Sequence, residues 1–211
     1  MRKAGSVENY IEKLKPVVRK TRFSQLTVDE IAKHMDISKA TLYKYFSSGE
    51  DVISTIVDHY IDYVLKGDTL VQDDSVTFPE RFQKLYEHSL RCVIYASNLF
   101  VDDLKENYPA LFDKLSAAQQ ARNKSLLAFY EAGMEKNVFN RMNAVLFMVQ
   151  DEAVLRQIMN PLFSVQYDLT LKQALLDFYT IKKYQLLRPE YIDSIEDSII
   201  EKDIAQLLLA L

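Results

Sequence analysis

The chain has 211 residues, with 26 Lys plus Arg, 30 Asp plus Glu and one Cys, a length that suits one large domain or a small one joined to a larger. Its 48% hydrophobic and 27% charged residues suffice for a packed core and exclude wholesale disorder. Only four Gly and five Pro disfavour a hairpin-rich sandwich or barrel, and the lone Cys92 excludes a disulfide framework or a cysteine zinc cluster.

The first residues, Met1 to Ser6, lead into a charged helical pattern rather than an apolar signal core. The longest apolar stretch, Ala144 to Val149, falls far short of the roughly 20 residues of a membrane span. A cytoplasmic protein with no membrane association is expected. Charge is uneven along the chain. Residues 1–50 hold ten Lys/Arg against six Asp/Glu, or +4, and the rest holds 16 against 24, or −8. A basic head on an acidic body hints at a polyanion-binding module.

Helical periodicity dominates the chain. Ile11, Leu14, Val17 and Val18 recur at helical spacing, and Pro16 predicts that this helix starts late or kinks. Thr27 followed by Glu30 reads as a capping box, opening a helix with Val28, Ile31, Ala32 and Met35 on one stripe. After Asp36-Ile37, Ser38 caps a second short helix that turns Leu42 and Phe46 inward. Longer helices are predicted over Asp51 to about Lys66, Pro79 to about Ala96, Pro109 to about Lys136, Arg141 to Asn160, Leu169 to Leu187 and Tyr191 to Leu211. A shorter helical piece covers Leu99 to Asn107, and polar Gly67 to Thr77 is expected to be a loop.

Two short helices joined by about three residues have helix-turn-helix spacing. With Leu42 and Phe46 inward, the second helix leaves Lys39, Ala40, Thr41, Tyr43, Lys44 and Tyr45 for other duties. Such cations, hydroxyls and small side chains suit a major-groove helix. The helix N-termini at Thr27 and Ser38 also offer backbone N–H groups to phosphate.

The wording Thr27-Val28-Asp29-Glu30-Ile31-Ala32, then Ile37-Ser38-Lys39-Ala40-Thr41-Leu42-Tyr43-Lys44-Tyr45-Phe46, closely resembles the DNA-binding head of the TetR family of transcriptional regulators, over about residues 7–60. The resemblance implies that Thr27 contacts phosphate, that Lys39, Ala40 and Thr41 face base edges, and that Tyr43 and Tyr45 clamp backbone phosphates. Lys44 would contact phosphate or a base, and Ile31, Ala32, Leu42 and Phe46 would be core. Three positions depart from the family pattern. Arg22 and Asp36 stand where glycine is usual, and Gly49 stands where lysine is usual. Arg22 would resist a positive φ, whereas Asp36 tolerates one better.

The family also implies a homodimer whose bodies enclose an effector. Of 24 Phe and Tyr, 19 lie after residue 50, enough to line a cavity for a small apolar or aromatic effector or simply to pack the core. Tyr60, Tyr86, Phe129 and Met148 are the expected pocket residues. The helices at 141–160 and 169–187 are apolar on more than one face, as a four-helix interface between two subunits requires, although a bulkier monomer core would satisfy them too.

No glycine-rich phosphate loop or histidine pair at metal spacing is present. Neither cofactor nor metal is expected, and no enzymatic activity. Cys92 reads as a structural thiol. The expected architecture is all-α, with a three-helix helix-turn-helix head over residues 1–50 and a helical-bundle effector-binding and dimerisation domain over 51–211. The expected function is a DNA-binding transcriptional regulator, a repressor on a palindromic double-stranded DNA operator, released by a small-molecule effector. The alternative is a helical ligand-binding or interaction protein that has lost specific DNA binding.

Overall fold

The computed structural model of the chain describes residues 4–209. Helices follow one another as α1 Ala4–Val18, α2 Val28–His34, α3 Lys39–Tyr45, α4 Gly49–Leu65, α5 Gly67–Gln72, α6 Phe78–Tyr95, α7 Asn98–Asn107, α8 Pro109–Glu135, α9 Ala144–Ile158, α10 Phe163–Tyr167, α11 Leu171–Leu186 and α12 Asp197–Leu209. Among the described residues there is no strand, and the one β contact is an isolated antiparallel bridge between Phe139 and Leu187. The all-α expectation holds.

Helix starts are set by short polar side chains that satisfy otherwise orphaned N–H groups. Thr27 and Glu30 form a reciprocal capping box at α2, and Thr77 and Glu80 do the same at the start of α6. Asn143 accepts from the Leu146 amide and Thr170 from the Gln173 amide, so α9 and α11 begin two or three residues later than hydrophobic periodicity alone placed them.

Three expectations are corrected. Residues 67–72 are helical rather than looped. Lys66 stays in the right-handed region, so the helical path resumes at once, and the Arg81 guanidinium donates to the end carbonyl of Val71 at 2.8 Å. The last helix is interrupted, with a 3₁₀ turn over Pro189–Ser194 before α12. Pro16 does not delay α1, which runs from Ala4 to Val18. The missing donor falls in its final turn, while Ile11, Leu14 and Val18 are fully buried and hold the helix by packing.

The chain divides into two compact units. The first comprises Met1–Tyr63 with Tyr95–Ala118, and the second comprises Val64–Ile94 with Gln119–Leu211. In the first, Ile11, Leu14, Ile31, Met35, Leu42, Phe46, Ile53 and Val57 form one core with Phe100 and Leu104. In the second, an aromatic cluster of Phe78, Phe129, Tyr130, Phe139 and Phe147 packs largely edge to face. Gly133 lies against it so closely that a Cβ there would stand 2.1 Å from the Phe139 ring.

Candidate functional site

The α2–α3 pair turns through Asp36, whose φ of 60° lets the chain reverse direction within three residues. The Ile37 amide donates back to the Ala32 carbonyl at 3.0 Å, closing the end of α2 in the manner of a left-handed C-cap. Leu42 and Phe46 are buried, so the rest of α3 is oriented by them. Lys39, Ala40, Tyr43 and Lys44 are exposed, while Thr41 and Tyr45 are half-buried.

The polar groups of this surface are already ordered. Ser38 Oγ accepts from the Thr41 amide at 3.1 Å and lies 2.9 Å from the Thr41 hydroxyl. Thr27 Oγ1 accepts from the Glu30 amide and donates to the Glu30 carboxylate, so that hydroxyl is engaged in the capping box. Lys39 Nζ pairs with Asp29 at 3.0 Å, although both side chains are largely exposed and the pair is easily exchanged. Tyr45 is held by Tyr10 of α1, ring centroids 5.5 Å apart and edge to face, a supporting contact the sequence reading missed. Tyr43 has half its surface in solvent.

A second missed feature is Asp103. An adjacent Asp102-Asp103 pair carries no site signal by itself, yet Asp103 is buried and receives the Ser24 amide at 3.0 Å, the Ser24 hydroxyl and the Asn107 amide nitrogen at 3.0 Å. Arg22 pairs beside it with Glu106. Within the first unit, α7 therefore fastens the segment that leads into α2.

Residues 23–56 match the sequence profile of the bacterial regulatory proteins, tetR family. Over those residues the chain is similar to the head of that family. Over 104 residues it is 26% identical to IcaR of Staphylococcus epidermidis, the HTH-type negative transcriptional regulator of the icaADBC biofilm operon. That match covers 47% of this chain and 48% of IcaR, so it spans about half the length of that relative. Among solved structures, the ketosteroid transcriptional regulator KstR2 of Mycobacterium tuberculosis aligns over 89% of this chain and 97% of its own, at 16% identity and a TM-score of 0.64. A Saccharomonospora viridis protein solved in complex with choline aligns over 88% and 100%, at 13% identity and a TM-score of 0.70. At these identities the likeness is one of fold, and it covers most of the chain.

The second unit holds a partly open cavity of about 300 Å³. Val64, Val93, Leu126, Met148 and Leu155 supply apolar walls, and Arg122, Asp151, Glu152 and Arg156 supply charge. Of the four residues expected there, Met148 lines this cavity and the other three are packed elsewhere. Tyr60 is buried in the first unit against Phe100 and Tyr95. Tyr86 donates its hydroxyl to the Leu175 carbonyl at 2.6 Å, and Phe129 belongs to the aromatic cluster. Large aromatic rings were claimed by the core, and the cavity is left to smaller aliphatic and charged side chains.

Beneath the cavity, fully buried Lys182 of α11 reaches α9. Its Nζ lies 2.9 Å from Asp151 Oδ1, close enough for the charges to pair although not aligned as a hydrogen bond. It donates to the Phe147 carbonyl at 2.6 Å and sits 3.1 Å from the centre of the Phe147 ring. Burial pulls the Lys182 ammonium down and pushes the Asp151 carboxyl up, each opposed by the charge of the other. Cys92 also lines the cavity, and burial raises its thiol to about 11, which keeps it protonated at neutral pH. Among the described residues, no group of three His, Cys, Asp or Glu could hold a metal ion, and no helix is long and apolar enough to cross a membrane.

Proposed function

We propose that this chain is a DNA-binding transcriptional repressor that acts as a homodimer on an inverted-repeat operator and releases it when a small molecule occupies the body. The observation that carries the reading is the exposed face of α3. Lys39, Ala40, Tyr43 and Lys44 are solvent-facing while Leu42 and Phe46 anchor the helix, which leaves a groove-sized surface with cations at both ends. Thr27, Ser38, Lys39, Ala40, Thr41, Tyr43, Lys44 and Tyr45 are the proposed contacts. Because the Thr27 and Ser38 hydroxyls accept from the Glu30 and Thr41 amides, phosphate contact there falls to the earlier N–H groups of each first turn. A negative regulator among the relatives supports the sign of regulation.

The homodimer reading draws on α9 and α11 of the second unit. Val145, Leu146 and Val149 on α9, with Ile181 and Tyr184 on α11, are each about half exposed or more. Five large apolar side chains on two helices form a face that a second copy would cover. Residues 51–211 accordingly carry association and effector binding, and residues 1–50 carry DNA contact. No reacting group is assigned, and the chain is read as a binding protein rather than an enzyme.

The test is selection of bound sequences from random duplex DNA by the full chain at a stated salt concentration. An inverted repeat should emerge. If about six phosphates are contacted per dimer, log affinity should fall with log salt at a slope near −5. Tyr43→Ala should weaken binding to all sequences together, while changes at Ala40 or Thr41 should alter base preference. A flat salt profile, with Tyr43→Ala behaving like wild type, removes the DNA reading.

A further inference from the structure

The charge inventory of the cavity narrows what it can hold. Glu152 is matched by Arg156, with Arg156 Nε 2.9 Å from the carboxylate. Asp151 is matched by Lys182 behind the wall. Arg122 makes no ion pair within 4 Å, although its charge also acts on Asp151. Its guanidinium donates to the neutral Ser89 hydroxyl at 2.6 Å, and that hydroxyl donates in turn to the Leu85 carbonyl at 2.8 Å. Arg122 Nε is buried with no hydrogen-bond partner. Two carboxylates and two arginines line the cavity, buried Lys182 behind the wall adds a third cation, and the cation without an ion pair is a planar fork of donors. A half-buried guanidinium with a buried Nε and donors to spare is stabilised by a group that brings a negative charge and two acceptors.

We infer that the cavity takes a small monocarboxylic acid with an apolar body, its carboxylate on Arg122 and its body against Val64, Val93, Leu126, Met148 and Leu155. The volume of about 300 Å³ sets the size. It holds on the order of ten non-hydrogen atoms, each taking roughly the space of a water molecule. Other classes fit less well. A quaternary ammonium is recognised by aromatic faces, and none of the described residues lining the cavity is aromatic. A primary amine would need a carboxylate without a cation, and both carboxylates already stand in ion pairs, Asp151 with Lys182 and Glu152 with Arg156. A phosphate monoester would bring close to two negative charges to a single unmatched cation. A neutral apolar molecule would leave Arg122 as it stands, with the Nε desolvated and unbonded.

This inference rests on the reading of the body as an effector domain, and its test separates the two. Octanoate, octanamide, octylamine and octyl phosphate are titrated calorimetrically into the full chain, with butyrate and decanoate as length controls. Octanoate should bind saturably and raise the melting temperature, and the amide, amine and phosphate should bind markedly more weakly. Arg122→Gln should bind octanoate roughly tenfold to a hundredfold more weakly. Arg122→Lys, which keeps the charge but not the fork, should fall between, and circular dichroism establishes that both variants are folded. The inference is overturned if no acid from butyrate to decanoate binds, if octanamide binds as well as octanoate, or if Arg122→Gln binds octanoate like wild type. Octanoate binding that leaves the selected duplex in place would sustain the inference and remove effector release from the proposed function. Intact duplex binding with no acid bound would do the reverse.

Discussion

At the scale of single residues, two departures from the TetR-family pattern have opposite structural meanings. Asp36 occupies a position that needs a left-handed backbone, at φ 60°. Arg22 does not, since it lies in extended backbone at φ −63° and ψ 124°. Glycine would therefore help at one site and harm at the other. Asp36→Gly removes the strain of a side chain in the left-handed region, and it loses only an exposed ion pair to Lys13. The head should gain about 0.5–1 kcal/mol, less than the full conformational strain because glycine also loosens the unfolded chain. Arg22→Gly loosens the unfolded chain with no strain to relieve, and it breaks the pair with Glu106, so stability should fall. Urea unfolding of both variants measures the two signs, and two shifts of the same sign would contradict the backbone assignment. The sequence exposed both positions, but only the backbone distinguishes them.

At the scale of elements, what was legible in the sequence is what depends on near neighbours. The Thr27–Glu30 capping box, the Ser38 cap and the inward Leu42 and Phe46 each involve residues three or four apart, and each stands where expected. Asp103 with Ser24, α5 with Arg81, and Lys182 with Asp151 were not legible, because each joins segments that only tertiary packing brings together. The capping boxes and the Arg22 pair also predict an acid response. Hydrogen bonds from the Thr27 backbone and hydroxyl hold Glu30 below its ordinary value of 4.5, and Arg22 does the same for Glu106. A carboxylate depressed in the folded state contributes stability that is fully present above its unfolded value and is lost as pH falls through the folded one. Stability should therefore decline below about pH 4.5, and Glu30→Gln combined with Glu106→Gln should flatten part of that decline in urea titrations at several pH values. An unchanged slope would contradict the assignment. Gly49 offers a further element-level test. It opens α4, and a Cβ there would meet nothing closer than Ile31 at 3.9 Å, so a longer side chain fits. Gly49→Lys places a cation just after α3, and it should tighten duplex binding while steepening the salt slope by about 1. Tighter binding with no change in slope would mean that the lysine acts on the fold rather than on phosphate.

At the scale of the whole molecule, the proposed function needs two heads on one duplex, so affinity must depend on association through the second unit. The chain passes between the units three times, inside α4, at the end of α6 and inside α8, and Arg122 lies within about a turn of the last crossing. Leu146 is 67% exposed and Ile181 is 51% exposed, so both can be changed without opening a core. Neither lines the cavity. Leu146→Glu combined with Ile181→Glu would set like charges against each other wherever a second copy covers this face. Sedimentation should then show a monomer at concentrations where wild type is a dimer, with helicity unchanged and a melting temperature that no longer depends on protein concentration. Linking two heads through a dimer raises affinity for a double site by roughly a hundredfold to ten-thousandfold without any new contact, so binding to the full inverted repeat should fall by that range. Binding to a single half-site should stay as it was. A variant that remains dimeric would place association on another surface. One that becomes monomeric yet keeps full affinity for the repeat would show that a single head accounts for the binding, and release by effector would then have to act within one subunit.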